Sequence, residues 1–483
     1  MKKLLLLTAI LSSGLYAASI DHIQTYSPDY LANQAQTGMI NGVSPYYNPA
    51  ALGRLEKGKY LHAGFQFAHG HEKMSYKGKE HKANLNQAIP NIALTFVDNK
   101  GATFFNFGGL AGGGKLRYDG VSGVDVLTDL AQFKPLGIYD KGSSLTGSNK
   151  YEQITLGRAF NIDDKLSFSV AARVVHGTRR LNGNLNIGAN PTAQYKQEKA
   201  QQVAQEVSKA VDAATQGKGL SAAQIAAIKT QKTNEALAKL QQRVNDLSQN
   251  GLSGDIDSKR EAWGYGFQLG VNYKVNDKLN LAARYDSRVK MNFKAKGHEY
   301  QLQTTDILGQ TIGLSTFYPQ YTINSKVRRD LPAILSVGAS YKVTDNYLVS
   351  SVANLYFNHQ AKMDRVTTFG EHEHGRDYKN GWEIAVGNEY KLNDKFTLIG
   401  SLNYANTGAK TASYNDTEYA LNSFTLGGGI RYQYDESLAI TASVAHFIYQ
   451  GAEGNFKEKY GVTENQKYKK EITAVGLSVT KKF

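Results

Sequence analysis

The sequence predicts an all-β protein, a 14-stranded antiparallel transmembrane β-barrel. Three observations lead there: an export-type N-terminus with no later apolar run of helical spanning length, a long series of segments alternating apolar and polar residues, and connections that are short at one end of that series and long at the other. A β-barrel hides apolar residues at every second position, so a mean hydropathy of −0.43 is compatible with membrane insertion.

The first 17 residues read as a signal peptide. Lys2-Lys3 is the basic start, Leu4–Leu11 the apolar run, and Leu15-Tyr16-Ala17 a cleavage tripeptide. That run is far short of the ~20 residues a membrane helix needs. The 483 residues include no Cys, which excludes disulfides, thiolate metal sites and a Cys nucleophile. The formal charge is +14, dispersed along the chain, and no nucleic-acid motif accompanies it. We therefore expect no nucleic-acid partner, no cofactor and no metal site; His372 and His374 lie in a charged loop where solvated histidines are the ordinary case.

Residues 18–57 precede the strands and are not repetitive. They contain Tyr46-Tyr47-Asn48-Pro49-Ala50-Ala51-Leu52-Gly53, and they are expected to form a hatch, or plug, inside the lumen. The barrel is expected over 58–483. Its strands read near 58–73, 85–97, 102–118, 151–159, 165–182, 261–275, 278–295, 326–343, 346–363, 377–392, 395–411, 419–434, 437–450 and 468–483. Tight turns rich in Asn and Asp join them at one end, for example Asn161–Lys165 and Val275–Lys278, because these residues tolerate unusual backbone angles and bond their own backbone. Much longer polar loops are expected at the other end. Trp263, Tyr265, Phe267, Leu269, Val271 and Tyr273 fall on one face of a strand; Gly264, Gly266, Gln268, Gly270 and Asn272 fall on the other. Aromatics such as Tyr273, Tyr341, Tyr390 and Tyr432 recur beside the turns, where an interfacial girdle belongs. An even strand count places both ends of the mature chain on the short-turn side, and the last strand ends on Phe483.

Two stretches break the pattern. The third strand runs into Gly108, Gly109, Leu110, Ala111, Gly112, Gly113 and Gly114; glycines inside a strand mark a bend or a close backbone approach, and here they either open the wall or begin a loop. Residues 193–250 have helical periodicity and a capping box at Ser221–Gln224, and read as a helical insertion in the third outer loop. The fourth outer loop holds an apolar run that includes Ile307, Leu308 and Phe317 and calls for a partner, another loop or a ligand.

Together these features resemble the long-chain fatty acid transporters of Gram-negative outer membranes, the FadL family, which includes aromatic hydrocarbon channels. The resemblance rests on the signal peptide, Asn48-Pro49-Ala50 ahead of strand one, the strand count, the glycine-disrupted third strand and the long third and fourth outer loops. It implies an outer-membrane passive transporter for long-chain fatty acids or similar hydrophobic compounds. Asn48, Pro49 and Ala50 would be the hatch motif. Gly108, Gly109, Gly112, Gly113 and Gly114 would lie at a lateral opening, and Ile307, Leu308 and Phe317 would line an outer groove. A carboxylate ligand needs a cation. By alternation the lumen-facing candidates are Arg173 and then Arg284, with Arg431 nearer the short turns; the competing reading pairs these arginines with Glu383, Glu389 or Asp286. The expected surroundings are outer-membrane lipid and lipopolysaccharide, and the expected state is a monomer. The alternatives are an aromatic hydrocarbon channel, or a surface adhesin or receptor that meets a host-surface ligand with its outer loops. An enzyme is not expected, since His176 and His446 have no Gly-x-Ser-x-Gly sequence beside them.

Overall fold

The computed structural model describes residues 27–483 except 121, 132, 297–303, 306–310, 313–323, 363, 367–371, 375–377, 412–413 and 415–418. The predicted signal peptide and the expected groove residues Ile307, Leu308 and Phe317 lie outside the described residues.

Fourteen antiparallel strands form one closed sheet. They are β1 Gly58–Tyr76, β2 Lys79–Val97, β3 Gly101–Tyr118, β4 Ser144–Asn161, β5 Leu166–Ala189, β6 Leu252–Lys274 and β7 Leu279–Asp286. The circuit continues with β8 Ile334–Lys342, β9 Tyr347–Tyr356, β10 Gly381–Lys391, β11 Phe396–Asn406, β12 Ser423–Asp435, β13 Leu438–Tyr449 and β14 Lys467–Lys482. Short ladders at Ile138–Asp140, Asn292–Lys296, Lys326–Arg328 and Ala452–Glu453 extend the outer rim. β1 pairs with β14 from Tyr60↔Lys482 to Ser75↔Lys467, which closes the circle. This seam removes the free edges that the first and last strands would otherwise present to hydrocarbon, where unbonded backbone groups would cost several kcal/mol each.

Period-two alternation sets the two faces. On β6, Trp263, Tyr265, Phe267, Leu269, Val271 and Tyr273 are exposed, whereas Gln268 and Asn272 are buried. The exposed apolar set continues around the wall through Leu398, Leu402, Phe424, Leu426, Val475 and Leu477, the face a lipid environment requires. Among the described residues no helix is long and apolar enough to cross a membrane; the strands do so.

The turns on the short side follow their Asn and Asp residues. Asp163 Oδ1 accepts the Lys165 and Leu166 amides at 2.7 Å each, and Asn276 Oδ1 accepts those of Lys278 and Leu279 at 2.9 and 2.8 Å. The outer side departs from expectation at its first connection. β1 and β2 are joined by Lys77-Gly78 alone, with positive φ at both residues (48° and 80°), so this link is a tight hairpin and not a long loop.

In the third outer loop, helices α1 Ala193–Thr215 and α2 Ala222–Asn250 pack on each other around Val211, Leu240 and Val244. The capping box at Ser221 and Gln224 is formed. The second outer loop carries a short helix, Ser122–Asp129. Its Val124, Val126 and Leu127 join Met74, Tyr76, Tyr118, Tyr419 and Phe456 in a packed apolar cap over one side of the outer rim.

Candidate transport site

The N-terminal segment occupies the lumen. Residues 27–39 and 43–52 are buried, and each part bonds a different stave of the wall. Asp29 Oδ2 accepts from Ser478 Oγ on β14 (2.7 Å), and the Ala32 carbonyl from Ser401 Oγ on β11 (2.8 Å). Asn33 donates to Ser350 Oγ on β9 (3.1 Å), while the Gly38 carbonyl accepts from Asn280 (2.9 Å) and Ser340 (2.8 Å). Asn48 Nδ2 donates to the Met39 carbonyl and to Asn272 Oδ1 of β6 (3.1 and 2.9 Å). Pro49 opens the 3-10 turn Pro49–Arg54, and the Ala50 carbonyl accepts from Ser167 Oγ of β5 (2.7 Å). Asn48 thus ties two parts of the segment together and to the wall, a role its amide can fill because its nitrogen carries two N–H donors.

Several lumen-facing glycines exist to let this segment in. A Cβ on Gly387 would stand 1.9 Å from Asn33 Oδ1, and one on Gly427 2.4 Å from the Leu31 carbonyl oxygen. Of the inward glycines on β6 that the alternation revealed, Gly270 faces the segment at Ala50, whereas Gly264 and Gly266 face Val289, Met291 and Ser287 beyond β7.

The wall is interrupted between β2 and β3. Their ladder runs from Val97↔Ala102 to Asn91↔Gly108, stops, and resumes only at Ala83↔Tyr118. Residues 84–90 and 109–117 therefore do not pair with each other. β3 remains strand throughout and stays paired with β4, with register shifts at Gly109/Ala111 and Ala111/Gly114. Of the two readings of the glycine run, the bend inside a strand is what the chain adopts. Gly112 and Gly114 take φ of 131° and 72°, values other residues resist. A Cβ on Gly112 would meet the Asn149 carbonyl oxygen at 2.3 Å, and one on Gly114 would meet Leu85 at 2.7 Å. Gly108 is the last paired residue before the break and Gly109 the first beyond it; Gly113 lies within the same strand. A cavity of about 60 Å³ opens here, lined by Ile89, Pro90, Phe107, Gly109, Gly112 and Tyr151 among others.

Pro90 is a residue that sequence reasoning passed over. It has no amide to donate, and it sits on β2 at the margin of the break, opposite Phe65 of β1. Proline inside a strand that otherwise reads as a central one was the available signal.

Inside the break lies an apolar cluster. It joins Tyr46 and Tyr47 of the N-terminal segment to Leu110 of β3, Tyr151 of β4, Val175 of β5, and Val289, Met291 and Phe293 beyond β7. Tyr30 and Tyr47 stack with ring centroids 5.4 Å apart.

Polar charges line the lumen beside this cluster. Arg173 and Arg284 are 3% and 1% exposed and converge on Asp286, which is 2% exposed. Arg173 Nη1 lies 3.4 Å from Asp286 Oδ1, and Arg284 Nε lies 3.0 Å from Oδ2. Arg173 also forks onto Gln153 Oε1 at 2.9 and 2.7 Å. Arg284 Nη1 donates to the Tyr46 carbonyl at 2.6 Å, so it grips the N-terminal segment. Arg431 makes a two-pronged pair with Glu389, at 2.8 and 3.2 Å. Glu383 takes the hydroxyls of Tyr30 (2.8 Å) and Tyr356 (2.5 Å). The structure thus brings Arg173 and Arg284 to one carboxylate and sends Arg431 to another. Alternation gave the face of each arginine; the partners depend on strand register, which alternation does not supply.

The family model for outer membrane transport proteins (OMPP1/FadL/TodX) matches residues 139–483, well over half of the chain. The chain belongs to this family. Among curated relatives, a 47 kDa outer membrane protein of Pasteurella multocida is 26% identical over 232 residues, 46% of this chain and 51% of that protein. The long-chain fatty acid transport protein of Escherichia coli K12 is 20% identical over 282 residues, 58% of this chain and 60% of that protein. The chain thus aligns with only about half of the length of the first of these relatives. Among solved structures, the Pseudomonas putida toluene transporter TodX superposes with a TM-score of 0.61 at 14% identity, covering 96% of this chain and 99% of that one. A Pseudomonas aeruginosa FadL homologue gives 0.62 at 14% identity, covering 97% and 99%. At such identity these matches establish the shared barrel. Membership of the family places the protein in the outer membrane as a multi-pass barrel.

Proposed function

We propose that the protein is a passive transporter that admits long-chain fatty acids, or similar hydrophobic compounds with an anionic head, and releases them sideways between β2 and β3 into the membrane. The observation that carries this reading is the unpaired stretch of wall at 84–90 and 109–117, flanked by Pro90 and the glycines and backed by the apolar cluster. A fatty acid gains ~0.8 kcal/mol for each buried methylene, so an apolar path that ends in lipid spares the chain from the aqueous mouth. Residues 18–57 act as the hatch in this reading, with Asn48 and Ala50 holding it to β6 and β5 and Pro49 opening the turn between them.

Two buried guanidinium groups around one carboxylate leave a net positive charge beside the apolar cluster. That supports an anionic head over a neutral aromatic ligand. A ligand carboxylate that reached Arg284 would compete with the Tyr46 carbonyl and loosen the hatch. The relatives named for toluene keep the aromatic hydrocarbon reading as the second one.

The test is oleate binding to the purified protein together with uptake in cells, for the wild type, Arg173→Ala and a Gly108→Val/Gly112→Val double variant. Saturable binding in the micromolar range, weakened by Arg173→Ala, with uptake lost in the double variant, is the expected result. Absence of saturable oleate binding by a folded protein that passes toluene would replace this reading with the hydrocarbon channel.

A further inference from the structure

The outward face above the lipid-facing band carries charge in a pattern that internal pairing answers only in part. Following cross-strand partners on that face, one row reads Lys115, Ser148, Arg180, Lys259, Lys296 across β3, β4, β5, β6 and the Asn292–Lys296 extension. The row below it reads Lys150, Thr178, Glu261, Lys294, Lys326. Arg180 stands directly opposite Lys259, Lys259 opposite Lys296, and Lys294 opposite Lys326. Strands are ~4.8 Å apart, and like charges directly opposite one another are destabilising.

The acids nearby answer part of this charge. Glu261 takes Lys259 and Lys296, and Glu152 takes Lys150. Lys115, Arg180, Lys294 and Lys326 are exposed and have no acidic partner among the described residues. The pattern recurs on the far side of the β2–β3 break, where Lys82, Lys73 and Lys469 stand level across β2, β1 and β14; there Glu80 takes Lys73.

Height decides what would meet these groups. Glu261 is two residues above the exposed Trp263 and Lys259 is four above it, so the rows lie roughly 7 and 13 Å along the strand from that ring. Tryptophan marks the headgroup level of a bilayer. The side chains that follow it on the same face therefore sit among the headgroups, against lipid and not against open water.

We infer that the outward face of β3–β6 and the Asn292–Lys296 extension is a docking surface for the phosphorylated glycolipid of the outer leaflet, with Arg180, Lys259 and Lys296 as the phosphate-binding row. Glu261 bridges Lys259 and Lys296, so these three cations and one carboxylate keep a net positive charge with Arg180 opposite Lys259, and phosphate answers it because it accepts charge-assisted bonds from several cations at once. The two rows border the unpaired stretch, so the bound glycolipid frames the lateral opening. The inference does not depend on what the barrel transports.

The test uses the full mature chain, folded in detergent, and follows its Tm as lipid is added, since a ligand of the folded state raises Tm by mass action. The probes are bisphosphorylated lipid A, its dephosphorylated form, inorganic phosphate and heparin. Proteins are the wild type, an Arg180→Ser/Lys259→Ser/Lys296→Ser variant and a charge-keeping Arg180→Lys/Lys259→Arg/Lys296→Arg variant. Saturable stabilisation by the bisphosphorylated lipid alone is expected, kept in the charge-keeping variant and weakened about tenfold or more in the serine variant. Equal stabilisation by the dephosphorylated lipid, or an unaltered response in the serine variant, overturns the inference. A comparable response to inorganic phosphate or heparin overturns it in favour of a soluble polyanion. If the serine variant does not fold, Arg180→Ser alone is compared with Arg180→Lys under the same criteria.

Discussion

Asp286 and Gly387 show how much single residues decide in this lumen. Asp286 is the shared counter-ion of two buried guanidinium groups. Asp286→Asn should leave both arginines charged without a counter-ion. Breaking a buried ion pair costs about 3–5 kcal/mol, so a clear drop in the urea midpoint of the purified barrel is expected, whereas an unchanged midpoint would mean that the cluster is solvated. Gly387→Val forces the N-terminal segment away from β10, because even a Cβ at this position overlaps Asn33. Overpacking of this kind costs about 1–3 kcal/mol; it should expose residues 27–35 to protease while the barrel stays resistant. At the short turns, backbone amides of Leu166 and Lys165 hold the Asp163 carboxyl below the ordinary carboxylate range. A depressed folded value means the turn is favoured above about pH 4 and weakens as pH falls through the folded pKa. The wild type should lose stability on acidification, and Asp163→Ala should flatten that limb of the profile.

Elements show where the sequence was legible and where it was not. β6 could be read residue by residue, since alternation reports a face and each face has a different solvent. The turn residues could be read because their side chains bond only local backbone. The helical insertion was legible through its own capping box, which is also a local contact. Long-range pairings were harder. The Arg173–Asp286–Arg284 cluster depends on the register of β5 against β6 and of β6 against β7, and no local signal carries that. The Lys77-Gly78 hairpin was visible in principle as a two-residue turn ending in glycine, but the two strands it joins carry too many charges at their outer ends to look like membrane strands. The break between β2 and β3 was half legible: the glycines of β3 pointed to it, and Pro90 on the opposite margin completes it. Replacing Pro90 by Val restores an amide on that margin. The expected outcome is slower uptake with the barrel intact, and the double glycine variant should abolish it.

For the whole molecule, the helices of the third loop and the barrel are separable in their contacts. α1 and α2 pack mainly on one another, and their outer surfaces are polar and exposed. Removing 193–250 and joining the ends with a short linker should leave heat-resistant folding and uptake in place; loss of uptake would tie the helices to substrate capture. The N-terminal segment is different, since it touches staves from β1 to β14 and no truncated barrel can satisfy it. Asp29 meets Ser478 across 449 positions of sequence, and Tyr30 meets Glu383 across 353. The residues that leave the export machinery first are thus the last whose bonds can form. Contacts of such separation close late, so the seated segment reports that the final strand has been sewn to the first, and a chain stalled short of closure would display its N-terminal residues, ready for periplasmic proteases to recognise.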